Sequence, residues 1–199
     1  YLRTMYTDYR EKKDGLIKNY EKIEILVLGN SHSEHALNDS LIPNLKNLSQ
    51  GGESYYYTYQ KAKKVLEQNP EVSTVFIEYS NIAISDKINK WIWGDQVLRN
   101  YYVKYSPFLS VSDEFLLVSN NLSGYLNAIS PKIKERGSRI FIKKINYTND
   151  IGGYFYQSQS KIDSLLNNPV DKSAKHNSVS KTYSFSNVNN LYLLKLINL

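Results

Sequence analysis

Residues 23–33 read IEILVLGNSHS, and this stretch decides the fold. Ile23–Leu28 is an almost unbroken apolar run, which suits a strand covered on both faces in a parallel sheet. Gly29–Ser33 then reverses the chain with small and polar residues. Ser33 is predicted to cap a short helix through Leu37, its hydroxyl meeting free backbone amides. A strand that feeds a helix through so tight a turn is the opening of an α/β unit.

The pattern repeats on the C-terminal side. Ile42-Pro43 and Asn47–Leu48 frame a second, shorter strand. Gln50-Gly51-Gly52 follows, a turn that admits backbone angles closed to other residues. A helix is predicted from Ser54 to Gln68, with Tyr55, Tyr59, Ala62, Val65 and Leu66 on one face, ended by Asn69-Pro70. Val72–Tyr79, VSTVFIEY, is a β-branched and aromatic strand. This alternation predicts a three-layer α/β domain, flavodoxin-like, its parallel sheet flanked by helices through right-handed crossovers.

Further along, Trp91–Tyr105 reads as one or two helices broken at Gly94. Ser112–Ile129 reads as helix with a break near Gly124. Arg139–Ile145 is a basic strand candidate, and Gln157–Lys181 is a polar stretch with little periodicity. Ser186 is the expected cap of a last helix, Val188–Leu199, with Leu191, Leu194 and Ile197 on one side. Before the sheet, Tyr1–Tyr20 reads as a helix. The expected organisation is an N-terminal helical segment over 1–22 and an α/β domain over 23–199, with a helical and irregular insert around 85–181. The domain reads as cut at its C-terminus, where another crossover strand is expected. A start at Tyr1 reads as a fragment or mature form.

Composition removes several function classes. The chain of 199 residues has no cysteine, so disulfides, zinc thiolates and cysteine nucleophiles are excluded. Its net charge of +6 comes from scattered Lys and Arg interrupted by acids, unlike the single basic face of a nucleic-acid binder. No nucleic-acid partner is expected. Gly-Lys-Ser/Thr and Gly-x-Gly-x-x-Gly motifs are absent, which speaks against a phosphate-binding loop. Only His32 and His35 approach metal-ligand spacing, and neither a metal nor another cofactor is expected. The 18 tyrosines supply large amphipathic rings for a half-buried core. Trp91 and Trp93 read as core before cleft, and Tyr55–Tyr57 as helix packing before sugar stacking.

Open α/β sheets bind ligands beyond the carboxyl ends of their strands. Three features fall there: Gly29-Asn30-Ser31, Ser49-Gln50-Gly51-Gly52 and Ser80-Asn81. Their residue types suit acyl transfer. A serine on a strand-to-helix turn exposes its hydroxyl as a nucleophile, while its amide, a glycine-turn amide and an Asn side chain can face a developing oxyanion.

In this order the three features resemble the SGNH hydrolases, the GDSL-like esterase and acyltransferase superfamily. Gly29-Asn30-Ser31 is similar to that family's Gly-Asp-Ser nucleophile block. Asn47–Gly52 stands where the oxyanion glycine block is expected, with Ser49 at the glycine's place. Tyr79-Ser80-Asn81 keeps the Asn of the third block without its Gly and Asp. The resemblance spans Ile23 to Asn81. It implies Ser31 as nucleophile, the amide of Ser49, Gly51 or Gly52 together with Asn81 as oxyanion donors, and Asn30 and His32 near the substrate. The family's late Asp-x-x-His base has no match: His32 and His35 follow Ser31 too closely, and His176, Asp163 and Asp171 lack the spacing. The implied function is a serine esterase or O-acyltransferase acting on a small-molecule or glycan acyl ester. Its base would lie beyond Leu199, leaving this stretch inactive. The GNSH form is similar to envelope-associated bacterial members, which implies an extracytoplasmic place and an anchor upstream of Tyr1. The alternative is a non-catalytic domain that binds a glycan or a protein through the same cleft.

Overall fold

The computed structural model describes residues 22–106, 108–138, 151–156 and 184–199. The helix expected over Tyr1–Tyr20, the strand candidate Arg139–Ile145, the polar Gln157–Lys181 stretch and His176 lie outside the described residues.

The protein is a mixed α/β structure whose three-stranded parallel sheet is flanked by helices. The strands are β1 (Ile25–Leu28), β2 (Leu45–Asn47) and β3 (Thr74–Ile77), in the order β2-β1-β3. Val27 of β1 is in register with Asn47 on one side and Phe76 on the other. Central β1 carries the apolar run, and its Leu26, Val27 and Leu28 are all buried. Each such side chain contributes roughly 1.5–3 kcal/mol by leaving water. Strand β3 does not follow this rule: Thr74 and Phe76 face outward, and only the alternate residues Val75 and Ile77 pack against the core.

Helix α1 (Ser31–Ala36) leaves β1, α2 (Tyr55–Gln68) links β2 to β3, and α3 (Asn81–Ile84) leaves β3. Helix α4 (Lys90–Trp93) ends at Gly94, as the sequence predicts. The chain then winds through a π-type turn at Leu98–Tyr102 to α5 (Val111–Asn120) and α6 (Leu122–Ser138). The predicted break near Gly124 falls instead at Asn121, the C-cap of α5, and Gly124 sits inside α6. There the Asn121 side chain accepts from the Gly124 amide at 2.8 Å and donates to the Trp93 carbonyl at 2.8 Å.

Helix α2 is buried on more than one face, with Tyr55, Tyr56, Tyr57, Thr58, Gln60, Lys61, Ala62 and Val65 all inside. One flank is covered by α7 (Asn187–Ile197), capped by Ser186 as expected. The buried side of α7 is Asn189, Tyr192 and Leu196, whereas Leu191, Leu194 and Ile197 face outward. Two apolar stripes compete on this helix. The one that wins contains Asn189, which accepts from the Tyr56 amide at 3.2 Å and donates to the Ala83 carbonyl, and Tyr192, whose ring meets Tyr56 edge-on at 4.8 Å. Tyr55–Tyr57 are therefore packing residues.

Candidate functional site

The turn after β1 is built around Asn30. Asn30, not Ser33, is the N-cap of α1: its side chain accepts from the His32 amide at 3.3 Å, and the helix starts two residues before the predicted cap. Ser31 is thus the first helical residue, half-buried, at the carboxyl end of the central strand. Ser33 lies one turn in and serves another purpose. The Glu78 carboxylate, just past β3, accepts from the Asn30 amide at 2.9 Å, the Ser33 amide at 3.0 Å and the Ser33 hydroxyl at 2.7 Å. Its other oxygen lies 2.9 Å from His32 Nδ1, which also meets the Asn30 side chain at 3.1 Å. Gly29 is required by this closeness: a Cβ there would stand 2.3 Å from Ser33 Oγ and 2.4 Å from Glu78 Cβ.

The second loop lies on the opposite side of Ser31. A Cβ built on Gly51 would sit 3.6 Å from Ser31 Cβ, so the serine side chain borders this loop, while His32 turns toward β3. Most of the loop's amides are already bound. Ser49 N–H donates to the Asn47 side chain at 2.9 Å, Gln50 N–H to the Gly29 carbonyl at 3.0 Å and Gly51 N–H to Glu34 at 3.0 Å. Among the described residues the Gly52 amide has no acceptor. The same accounting in α1 gives His32 N–H to Asn30, Ser33 N–H to Glu78 and Glu34 N–H to the Asn30 carbonyl. The Ser31 amide and hydroxyl are left without a partner among the described residues. Ser49 is fully buried and cannot reach a ligand.

Gly52 adopts φ +75°, a region that side chains disfavour, and the Trp91 indole lies over it: a Cβ would meet Trp91 Cζ3 at 2.6 Å. Trp91 is 46% exposed, so it lines this loop and is not core, contrary to the sequence reading. Trp93 is half-buried against the core. Beneath the loop lies a buried network. The Lys61 ammonium, 1% exposed, donates to Glu53 at 2.8 Å, to the Ile151 carbonyl at 2.8 Å and to the Leu48 carbonyl. Glu53 also accepts from Thr58 at 3.1 Å and from the Tyr105 hydroxyl, while the Tyr101 hydroxyl holds the Gly51 carbonyl at 2.6 Å. Residues 151–156 run along the same edge. Gly153 N–H donates to the Ser49 carbonyl at 3.0 Å, and Phe155 packs edge-on against His35.

Asn81 opens α3, exposed, just beyond Ser80, which caps that helix by accepting from Ala83 N–H at 3.3 Å. Asn81 is at the carboxyl end of β3 as the sequence placed it, with no side-chain hydrogen bond among the described residues. Glu78 and the Glu53–Lys61 pair were not singled out in the sequence. Their signals are modest: an acid ending an apolar strand, and a lysine on the buried stripe Tyr57, Lys61, Val65.

Partial burial pushes the Glu78 carboxyl up, but hydrogen bonds from Ser33, His32 and the Asn30 amide outweigh it and hold it below the ordinary range. Burial drives the Glu53 carboxyl up against the opposing pull of Lys61, and drives the Lys61 ammonium down against Glu53. Among the described residues no group of three or more His, Asp or Glu is placed to hold a metal, and no helix is long and apolar enough to cross a membrane. A cavity of about 620 Å³ is formed by Lys22, Ile23 and residues 39–46, before and along β2, not by the serine turn. A scan against models of known protein families finds no match, and neither the curated proteins nor the solved structures supply one.

Proposed function

We propose that the protein is an SGNH-type serine esterase or O-acyltransferase with Ser31 as nucleophile. The observation that carries this reading is the accounting of amides around Ser31. Most amides of the two loops are consumed by protein acceptors; among the described residues those of Gly29, Ser31 and Gly52 are left over, and the Ser31 hydroxyl is likewise without a partner there. A serine at the carboxyl end of a parallel strand, with its own amide open and another open amide in the loop its side chain borders, has the donors an acyl-enzyme requires for its oxyanion. The strand order β2-β1-β3 supports it too, since flavodoxin-like sheets begin in this order.

On this reading Ser31 Oγ attacks the carbonyl carbon of an acyl ester. The charge that develops on the carbonyl oxygen is held by the Ser31 and Gly52 N–H groups, with Asn81 as a side-chain donor. Collapse expels the alcohol and leaves an acyl-serine, which water or an acceptor hydroxyl then resolves. Ser49 and Gly51 drop out as donors because their amides are bound to Asn47 and Glu34. His32 is ill-placed as the base: neighbouring helical residues do not face each other, and its bond to Glu78 turns the ring toward β3, away from the loop that Ser31 borders. The acyl ester, glycan or small molecule, and an envelope location belong to the same proposal.

The second reading is a non-catalytic domain that binds its ligand in this cleft. The Ser31 hydroxyl favours it, since it has no partner among the described residues and an activated serine is normally bonded to its base. Labelling with a fluorophosphonate separates the two. Protein expressed from the complete reading frame is expected to be labelled at Ser31, and Ser31→Ala to lose the label. Absence of label in folded wild-type protein overturns the esterase reading and leaves the binding one.

A further inference from the structure

We propose that Glu78 is a positioning residue, whose carboxylate grips the chain on both sides of Ser31 and so fixes the direction of its hydroxyl. This rests on the reading of Ser31 as nucleophile.

The geometry is specific. One carboxylate oxygen takes the amides of residues 30 and 33, one before and one after the serine, together with the Ser33 hydroxyl. The other oxygen ties down His32 Nδ1. Every residue from Asn30 to Ser33 except Ser31 is thereby bound to Glu78. Helix α1 has only six residues and cannot hold its own first turn, because so short a helix is unstable alone. Its orientation must come from outside, and the Asn30 cap at 3.3 Å is a long bond. Glu78 itself is fixed by the last residues of β3, and the Tyr55 hydroxyl donates to its backbone carbonyl at 2.9 Å. The chain thus transmits the rigidity of the sheet to the serine turn through one side chain. Gly29 marks the same contact, since only a residue without a Cβ lets strand and carboxylate approach so closely.

Gripping both flanks has a chemical consequence. It consumes the Ser33 amide, which would otherwise compete for an anion, and leaves the Ser31 amide free. It also turns His32 toward β3 and Ser31 toward Gly51. The group acts as a hydrogen-bond acceptor, so a neutral amide of the same shape serves in its place.

The test compares Glu78→Ala, Glu78→Gln and Ser33→Ala in the full-length protein, by fluorophosphonate labelling rate and by amide hydrogen exchange. Glu78→Ala is expected to slow labelling of Ser31 by about tenfold to a hundredfold, the effect of a small misplacement of a reacting group. Glu78→Gln is expected to restore the rate to within about threefold. In step, the Asn30 and Ser33 amides exchange faster in Glu78→Ala and slowly again in Glu78→Gln, while Ala62 and Val65 in α2 stay protected. Ser33→Ala, which removes one donor only, gives a smaller change of the same kind and stands in if Glu78→Ala does not fold. Wild-type exchange at Asn30 and Ser33 in Glu78→Ala overturns the proposal, as does wild-type labelling in that variant. A Gln variant as slow as Ala but fully protected also overturns it, because the negative charge would then act directly. If wild-type protein takes no label, the Ser31 reading fails by itself, and exchange alone decides whether Glu78 holds the turn.

Discussion

The two loops that border Ser31 are held by opposite means. The turn after β1 is at the surface, and its grip is one carboxylate whose bonds run to backbone amides, a hydroxyl and an exposed imidazole. The loop after β2 rests on a dry ion pair, Glu53 and Lys61, closed by Tyr105 and roofed by Tyr101. Charge near water positions; charge buried away from it determines whether the region folds. A site made this way can tolerate change on its β1 side at some loss of alignment, whereas its β2 side is tied to global stability.

That contrast is broken most severely at Lys61. Lys61→Met leaves the Glu53 carboxylate buried without its cation, and removing one partner of a buried pair costs about 3–5 kcal/mol. Urea denaturation is expected to show this loss, and to show much of it recovered in the double variant Glu53→Gln/Lys61→Met. Equal instability of single and double variants would mean that the loop does not depend on the pair. Gly29→Ala attacks the other side. Its Cβ must displace Glu78 Cβ, part of a strand end and not a flexible tip, and overpacking of this sort costs roughly 1–3 kcal/mol. A stability within error of wild type would show that β3 yields. Tyr101→Phe deletes a single hydrogen bond to the Gly51 carbonyl and is expected to cost about 0.5–1.5 kcal/mol in the same assay. An unchanged midpoint would remove Tyr101 from the support of the loop.

How far these two sides could be read from sequence follows from the range of the forces involved. The apolar run of β1, the β-branched β3, the Gly94 break and the Ser186 cap are local signals, and the structure has each of them. The cap of α1 is local too, but Asn30, Ser31 and Ser33 are all capping residue types. What separates them is Glu78, which claims Ser33 from 45 residues away. Nothing near Ser33 in the chain reports that. Which face of α7 is buried is not legible for another reason: Leu191, Leu194 and Ile197 make one apolar stripe and Tyr192 and Leu196 another, and periodicity does not say which meets the core. Lys61 was legible in principle, since a lysine in step with Tyr57 and Val65 must either snorkel or find a buried acid. The three strand-end features were placed at the sheet's carboxyl edge correctly, yet which amide of residues 49–52 is free depends on Asn47 and Glu34, contacts that no motif encodes.

The smallest expected effect separates the two carboxylates by pH. Glu78 has a folded-state pKa below its ordinary value of 4.5. Its contribution is therefore fully present above that value and fades as pH falls through the folded one, where protonation turns the ionised acceptor of Asn30 and Ser33 into a weaker neutral one. Glu53 runs the other way. Its folded-state pKa is raised, so the folded protein takes up that proton before the unfolded chain does, and acidification toward 4.5 favours the folded state there. Comparing wild type with Glu78→Gln by urea denaturation from about pH 7 to about pH 3 isolates the first effect, because Glu53 is common to both proteins and cancels in the difference. The advantage of wild type is expected to hold steady through neutral pH and to shrink below about 4.5. An advantage that persists unchanged at the acid end would mean that the Glu78 carboxylate is not bonded in its ionised form, and the surface grip on the serine turn would have to come from elsewhere.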